Sequence, residues 1–243
     1  MKCVLILGAS SDIAKATARA YAKQGSTLYL AGRNAETLGA FSKDLTIRYK
    51  VNATFVPFDA DQVNTHTDFY KQIIPAPDVV VCAFGLLGDQ EKAETSWKES
   101  NSIIQANYTG AVSILNIVAN DMAARKSGTI VGISSVAGDR GRQSNYIYGS
   151  AKAGFTAYLS GLRNRLFKSG VHVVTVKPGF VDTKMTNGLK LPAPLTAKPE
   201  QVADKILKAV EKKKNVIYVL WMWKWVMLII KNIPEGIFKK LKL

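Results

Sequence analysis

Seven short apolar runs alternate with helical stretches along most of this chain, and that alternation constrains the fold more than any single residue. The runs cover residues 2–7, 27–31, 54–58, 78–83, 129–133, 171–176 and 216–220. Helical patterns fill the intervals: one ends at Gln24, and others cover 35–50, 62–74, 96–125, 147–167 and 200–213. The runs are apolar almost continuously rather than at every second residue, as strands are when helices cover both faces of a sheet. Strands joined through helices run parallel, with right-handed crossovers. The expectation is an α/β fold with a doubly wound, parallel, seven-stranded sheet. A hydrophobic content of 47% in 243 residues suits one core of single-domain size. We find no internal repeat or linker, and assign residues 1–220 to this domain and 221–243 to a C-terminal amphipathic helical appendage.

Ligands of open α/β sheets bind outside the carboxyl ends of the strands. Gly8, Arg33, Asp59, Gly85, Ser135 and Pro178 all fall there. The first run leads through Gly8-Ala9-Ser10-Ser11-Asp12-Ile13-Ala14 into a helix, an arrangement that offers backbone N–H groups to a phosphate. Gly8 is its only glycine, so a plain strand-to-helix turn also explains the loop. The second run ends at Gly32-Arg33-Asn34. An acid here would suit the ribose 2′-OH of NAD, and an arginine the 2′-phosphate of NADP. Arg33 therefore favours NADP, with NAD as the alternative; an ordinary surface arginine is the bland reading. Asp59 either accepts from an adenine amino group or caps the next turn. Asn107 lies inside an apolar helical segment, where asparagine is mildly unfavourable and a role is worth seeking.

Ser135 follows the fifth run, and Tyr148 and Lys152 stand four apart on one helical face. A phenol with a pKa of about 10 transfers protons poorly near neutrality, and a fixed positive charge lowers that pKa. With a serine hydroxyl to hold a carbonyl oxygen, this is a device for acid catalysis. The Tyr-x-x-x-Lys spacing alone is common, and it gains weight from its place in the fold. Tyr146 is a decoy, because four residues on it meets Ser150.

Over about residues 2–220 these motifs resemble the short-chain dehydrogenase/reductase family, whose fold is Rossmann-type. The resemblance rests on Ser135, Tyr148 and Lys152, on Asn107 in the preceding helix, and on Pro178-Gly179 with Thr183. It implies a catalytic set of Asn107, Ser135, Tyr148 and Lys152. In that set Tyr148 is the general acid/base, Lys152 bonds the nicotinamide ribose and lowers the tyrosine pKa, Ser135 orients the carbonyl, and Asn107 holds a relay water. It implies a cofactor site of Gly8, Ser10, Ser11, Asp12, Ile13, Arg33, Asp59, Ala83, Gly85, Tyr148, Lys152, Pro178, Gly179, Val181 and Thr183, with Asp59 on adenine and Thr183 on the carboxamide. Two departures stand out. Asp12 and Ala14 replace later glycines of the phosphate loop, and Cys82-Ala83-Phe84-Gly85 replaces the family's Asn-Asn-Ala-Gly.

The formal charge is +15, and ten lysines against two glutamates from Lys205 onward carry over half of it. That stretch also holds Trp221, Trp223 and Trp225, three of the four tryptophans. Concentration in an apolar tail points to a membrane surface rather than nucleic acid. Residues 221–231 are too few to span a bilayer, which takes about 20 apolar residues. After Pro234, Ile237, Phe238 and Leu241 can face one way and Lys239, Lys240 and Lys242 another. An oligomer interface, as in a homodimer or homotetramer, is the alternative use of the same face. Residues 183–190, ending in Lys190, and the tail over 225–238 resemble reductases of 2-keto sugars carried on polyprenyl phosphates. That resemblance implies a lipid-linked carbonyl substrate and a flavin oxidase partner. Cys3 and Cys82 are far apart in apolar runs, so neither a disulfide nor a metal site is expected. With no apolar signal segment at its start, the chain is expected in the cytoplasm, peripheral on the inner face of the cell membrane.

Overall fold

The computed structural model describes residues 2–189 and 191–241; Lys190 and Lys242 of the loop and tail patterns lie outside the described residues. In order along the chain come β1 (Cys3–Leu7), α1 (Asp12–Lys23), β2 (Thr27–Gly32), α2 (Ala35–Tyr49), β3 (Ala53–Pro57) and α3 (His66–Lys71). Next are β4 (Val79–Cys82), α4 (Gln90–Thr95), α5 (Trp97–Ile104), α6 (Gly110–Arg125), β5 (Thr129–Ile133) and α7 (Tyr146–Leu166). The chain continues through β6 (His172–Lys177), β7 (Phe180–Val181), β8 (Thr196–Ala197), α8 (Pro199–Glu211), β9 (Val216–Tyr218), α9 (Met222–Asn232) and α10 (Glu235–Phe238). Seven strands form one parallel sheet in the order β3-β2-β1-β4-β5-β6-β9, as the alternation of runs implied.

Successive strand residues point to opposite faces, and both faces are covered. Val4 and Ile6 of β1 pack with Leu38 and Ile206 in one core, under α1, α2 and α8. Leu5 and Leu7 pack with Phe69, Leu115 and Leu159 in a second core, under α3, α6 and α7. This is why the runs read as continuously apolar. Side-chain caps start the helices: Ser11 accepts from the Ala14 N–H at 3.2 Å, and Asn34 from the Thr37 N–H at 2.9 Å.

Three segments differ from the sequence expectation. A short helix, α4, precedes α5; it is capped by Asp89 and buries only Ala93, too little apolar surface to register as a pattern. The helix expected over 62–74 is a 3₁₀ turn at Val63–Thr65 followed by α3. The single long helix over 96–125 is divided by a π-helical turn at Gln105–Thr109. There Asn107 donates its side-chain amide to the Ile103 carbonyl at 2.8 Å, taking the acceptor an α-helical N–H would have used. That substitution widens the turn.

The tail packs on the body by one face. Trp223 and Met227 are buried against Val136, Phe180 and Leu195, and the Trp223 indole N–H donates to the Leu195 carbonyl at 3.0 Å. Arg140 holds the end of α9, donating to the carbonyls of Ile230 at 2.6 Å and Ile233 at 2.7 Å, and its guanidinium lies 3.6 Å from the Phe238 ring. Among the described residues no helix is long and apolar enough to cross a membrane.

Candidate active site

A cavity of about 420 Å³ opens at the carboxyl edge of the sheet, between the α1 N-terminus, the Ser135 loop, the start of α7 and the segment after β6. Ser10, Ser11, Asp12, Ile13, Ala83, Gly85, Ser135, Tyr148, Lys152, Pro178, Gly179, Val181 and Thr183 all line it. Of the expected catalytic and cofactor residues, four lie elsewhere. Gly8 backs the cavity: its φ is +78°, and a Cβ there would sit 2.6 Å from Phe84, so only glycine lets the β1 turn pass the β4 end. Arg33 and Asp59 line a separate shallow groove at the ends of β2 and β3. Asn107 is buried beneath Gly85.

The side chains are held tightly. The Ser135 hydroxyl oxygen accepts from the Ala137 N–H at 3.1 Å, which leaves its own O–H to donate. Its loop is fixed by a Val136 N–H donating to the Pro178 carbonyl at 3.0 Å, and Ser134 anchors α7 by donating to the Lys152 carbonyl at 3.0 Å. Lys152 is buried, and its ammonium donates to the Ile133 carbonyl at 3.2 Å. This is its one hydrogen-bond partner among the described residues, for a group with three N–H donors. The ammonium lies 5.7 Å from the centre of the Tyr148 ring.

Electrostatically, burial dominates both groups. It pushes the Tyr148 phenol up to about 12, with the Ser135 hydroxyl acting in the opposite sense. It pulls Lys152 down to about 8, with Cys82 acting in the opposite sense. The resemblance implied an ammonium that lowers the tyrosine pKa; here the ammonium stands 5.7 Å from the ring centre, and burial is the largest influence on the phenol. The Asn107 amide donates to the carbonyls of Leu86 at 2.6 Å and Ile103 at 2.8 Å, so both its N–H donors are used within the protein. Asp59 accepts from the Asp61 N–H at 3.1 Å, the turn-capping alternative, while lying in the same groove as Arg33.

Sequence reasoning missed several residues of the cavity wall: Arg142, Asn145, Met185, Leu189 and Trp223. Trp223 reads in sequence as one of three equivalent tail tryptophans, yet it is 3% exposed against 71% for Trp221 and 53% for Trp225. The i, i+4 spacing of Trp223 and Met227 was the available signal.

The phosphate-type loop, the buried ammonium with unused donors and the hydroxyl pair suit a dinucleotide bearing a ribose diol. Residues 2–192 match the short chain dehydrogenase family. An uncharacterized oxidoreductase of Mycobacterium tuberculosis is 35% identical over 241 residues, 98% of this chain and 96% of its own. A ketoacyl reductase of Nostoc sp. is 30% identical over 225 residues, 90% of this chain and 78% of its own. The solved structure of a short-chain dehydrogenase from Sphingobium yanoikuyae in complex with NADPH has the same fold, with a TM-score of 0.84 at 21% identity, covering 97% of this chain and 98% of that one. The chain belongs to the short chain dehydrogenase family and is an oxidoreductase.

Proposed function

We propose that this protein is an NADP(H)-dependent carbonyl reductase in which Tyr148 is the proton donor. The observation that carries this reading is the meeting of Ser135, Tyr148 and Lys152 in one cavity, with the Lys152 ammonium buried and two of its three donors unused among the described residues. The α1 N-terminus with Ser10, Ser11, Asp12 and Ile13 would hold the diphosphate, Arg33 the 2′-phosphate and Asp59 the adenine. Ala83, Gly85, Pro178, Gly179, Val181 and Thr183 would enclose the nicotinamide side. NAD is the alternative cofactor. Bound there, the nicotinamide supplies or accepts a hydride.

In the direction of reduction, the substrate oxygen gains negative charge as its carbon is reduced. The Ser135 hydroxyl, whose oxygen accepts from the Ala137 N–H, donates its O–H to that oxygen. The Tyr148 hydroxyl delivers the proton. Lys152 orients the ribose and helps stabilise the phenolate left behind. Asn107 acts as a positioning residue under Gly85 rather than through free donors of its own side chain.

The substrate we infer is a ketone on a membrane lipid, most specifically a 2-keto sugar on a polyprenyl phosphate. Two observations support a lipid-borne ligand: Trp223 of α9 forms cavity wall, and the outer face of the same helix exposes Trp225, Leu228 and Ile229 beside Lys224 and Lys231. The protein would then sit on the inner membrane face, and a flavin oxidase would generate the keto group. The same face could instead close a homodimer or homotetramer. A long-chain ketoacyl reductase is the second reading, favoured by the Nostoc relative. The test is NADPH oxidation with three ketones: a polyprenylphosphoryl keto-sugar, a long-chain 3-ketoacyl thioester and a short neutral ketone. The leading reading expects fastest turnover of the first. Preference for the second installs the alternative, and tight cofactor binding without turnover of any carbonyl would indicate a non-catalytic dinucleotide-binding regulator.

A further inference from the structure

Two buried polar atoms in the cavity wall are unpaired among the described residues: Arg142 Nε and Asn145 Oδ1. Both residues sit on the loop between Ser135 and α7. A buried donor or acceptor without a partner is costly, and in a binding site it marks where a ligand atom belongs.

The acids nearby are already committed. Asp139, the one whose charge bears on Arg142, accepts from Lys177 and from the Tyr218 hydroxyl. Asp12, which lines the same cavity, accepts from the Lys184 N–H at 2.8 Å. Arg142 forms no salt bridge among the described residues, and burial disfavours its charge with little to offset it. The cationic side chains on this cavity are Lys152, Arg142 and Lys184. Lys152 faces the β5 end and its carbonyl, and Lys184 is exposed to solvent, which leaves the Arg142 guanidinium, part-buried with its Nε unpaired among the described residues, for the substrate.

We propose that Arg142 is a specificity residue that binds an oxyanion of the substrate, a phosphate or a carboxylate, while Asn145 accepts from a neighbouring substrate hydroxyl. The inference rests on the carbonyl-reductase reading and narrows it: the ketone is anionic and hydroxylated. An arginine with no salt bridge among the described residues discriminates strongly, because a ligand without an acceptor leaves its buried Nε donor unsatisfied.

The experiment titrates the protein, in saturating NADP+ so that the cofactor's phosphate contacts are filled, with phenyl phosphate, benzoate and benzyl alcohol by calorimetry. At least one anion should bind about tenfold or more tightly than the alcohol. Binding of phenyl phosphate alone assigns a phosphate, and binding of both anions a general oxyanion site. Arg142→Gln should abolish the preference, and Arg142→Lys should restore part of it. Equal binding of all three probes, or a preference unchanged in Arg142→Gln, overturns the proposal. NADPH oxidation with dihydroxyacetone phosphate and dihydroxyacetone separates the two ideas. Anion preference without turnover of any ketone keeps the Arg142 site and sinks the reductase reading. Turnover without anion preference does the reverse.

Discussion

At the scale of single residues, Lys152 is held in the fold against its own charge. Burial lowers its pKa from 10.5 to about 8. Between those two values the unfolded chain holds this proton more often than the folded one, so the contribution of Lys152 to stability rises with pH across that window and is lowest below pH 8. Tyr148 has the opposite sign, since its raised pKa makes stability fall between pH 10 and about 12. Lys152→Met should therefore stabilise the protein at pH 7, by on the order of 1–3 kcal/mol, and flatten the rise between pH 8 and 10 in denaturant titrations. Turnover should be lost in the same variant. Destabilisation at pH 7 would mean that the ammonium is held by favourable contacts and has a structural role. A stabilising loss of function is what a residue kept for chemistry gives.

At the scale of elements, the strands were legible because each is apolar on both sides, and the cavity-edge positions followed from where those strands end. The π-turn at Asn107 was not, because it depends on Asn107 reaching the carbonyls of Leu86 and Ile103, and the contact with Leu86 spans 21 residues. The wall residues Arg142 and Asn145 lie in a loop with no periodicity to read. In the tail, three tryptophans at every second position look alike in sequence, but the turn of the chain into α9 buries Trp223 and leaves Trp221 and Trp225 exposed. The close approach is set by Gly179, where a Cβ would lie 1.9 Å from the Trp223 indole. Gly179→Ala should push Trp223 off its seat, destabilise by about 1–3 kcal/mol, and shift tryptophan fluorescence to the red. Unchanged stability and emission would show that the tail is not fixed through this contact.

At the scale of the whole molecule, positive charge and exposed apolar side chains coincide in the C-terminal tail. The inner face of α9 is occupied by the fold, while Trp221, Trp225, Leu228, Ile229 and Ile237 remain exposed among lysines. Each lysine near an anionic bilayer adds about 1 kcal/mol to binding, and the aromatic face adds apolar burial. Removing the tail at Leu220 would also strip Trp223 and Met227 from the body, so point changes test the surface more cleanly. Trp225→Glu with Leu228→Glu should abolish co-sedimentation with anionic lipid vesicles and leave thermal unfolding unchanged. Retained vesicle binding by the double variant would show that this face is not the membrane contact, and absence of binding by the unmodified protein would remove the membrane reading.

The central claim is that Tyr148 protonates a carbonyl oxygen, and one measurement bears on it most directly: single-turnover NADPH oxidation by Tyr148→Phe with the best ketone, alongside NADPH affinity. The account requires a fall of about 100- to 10,000-fold in rate with cofactor affinity preserved. A variant that reduces the ketone at near-normal rate would contradict it.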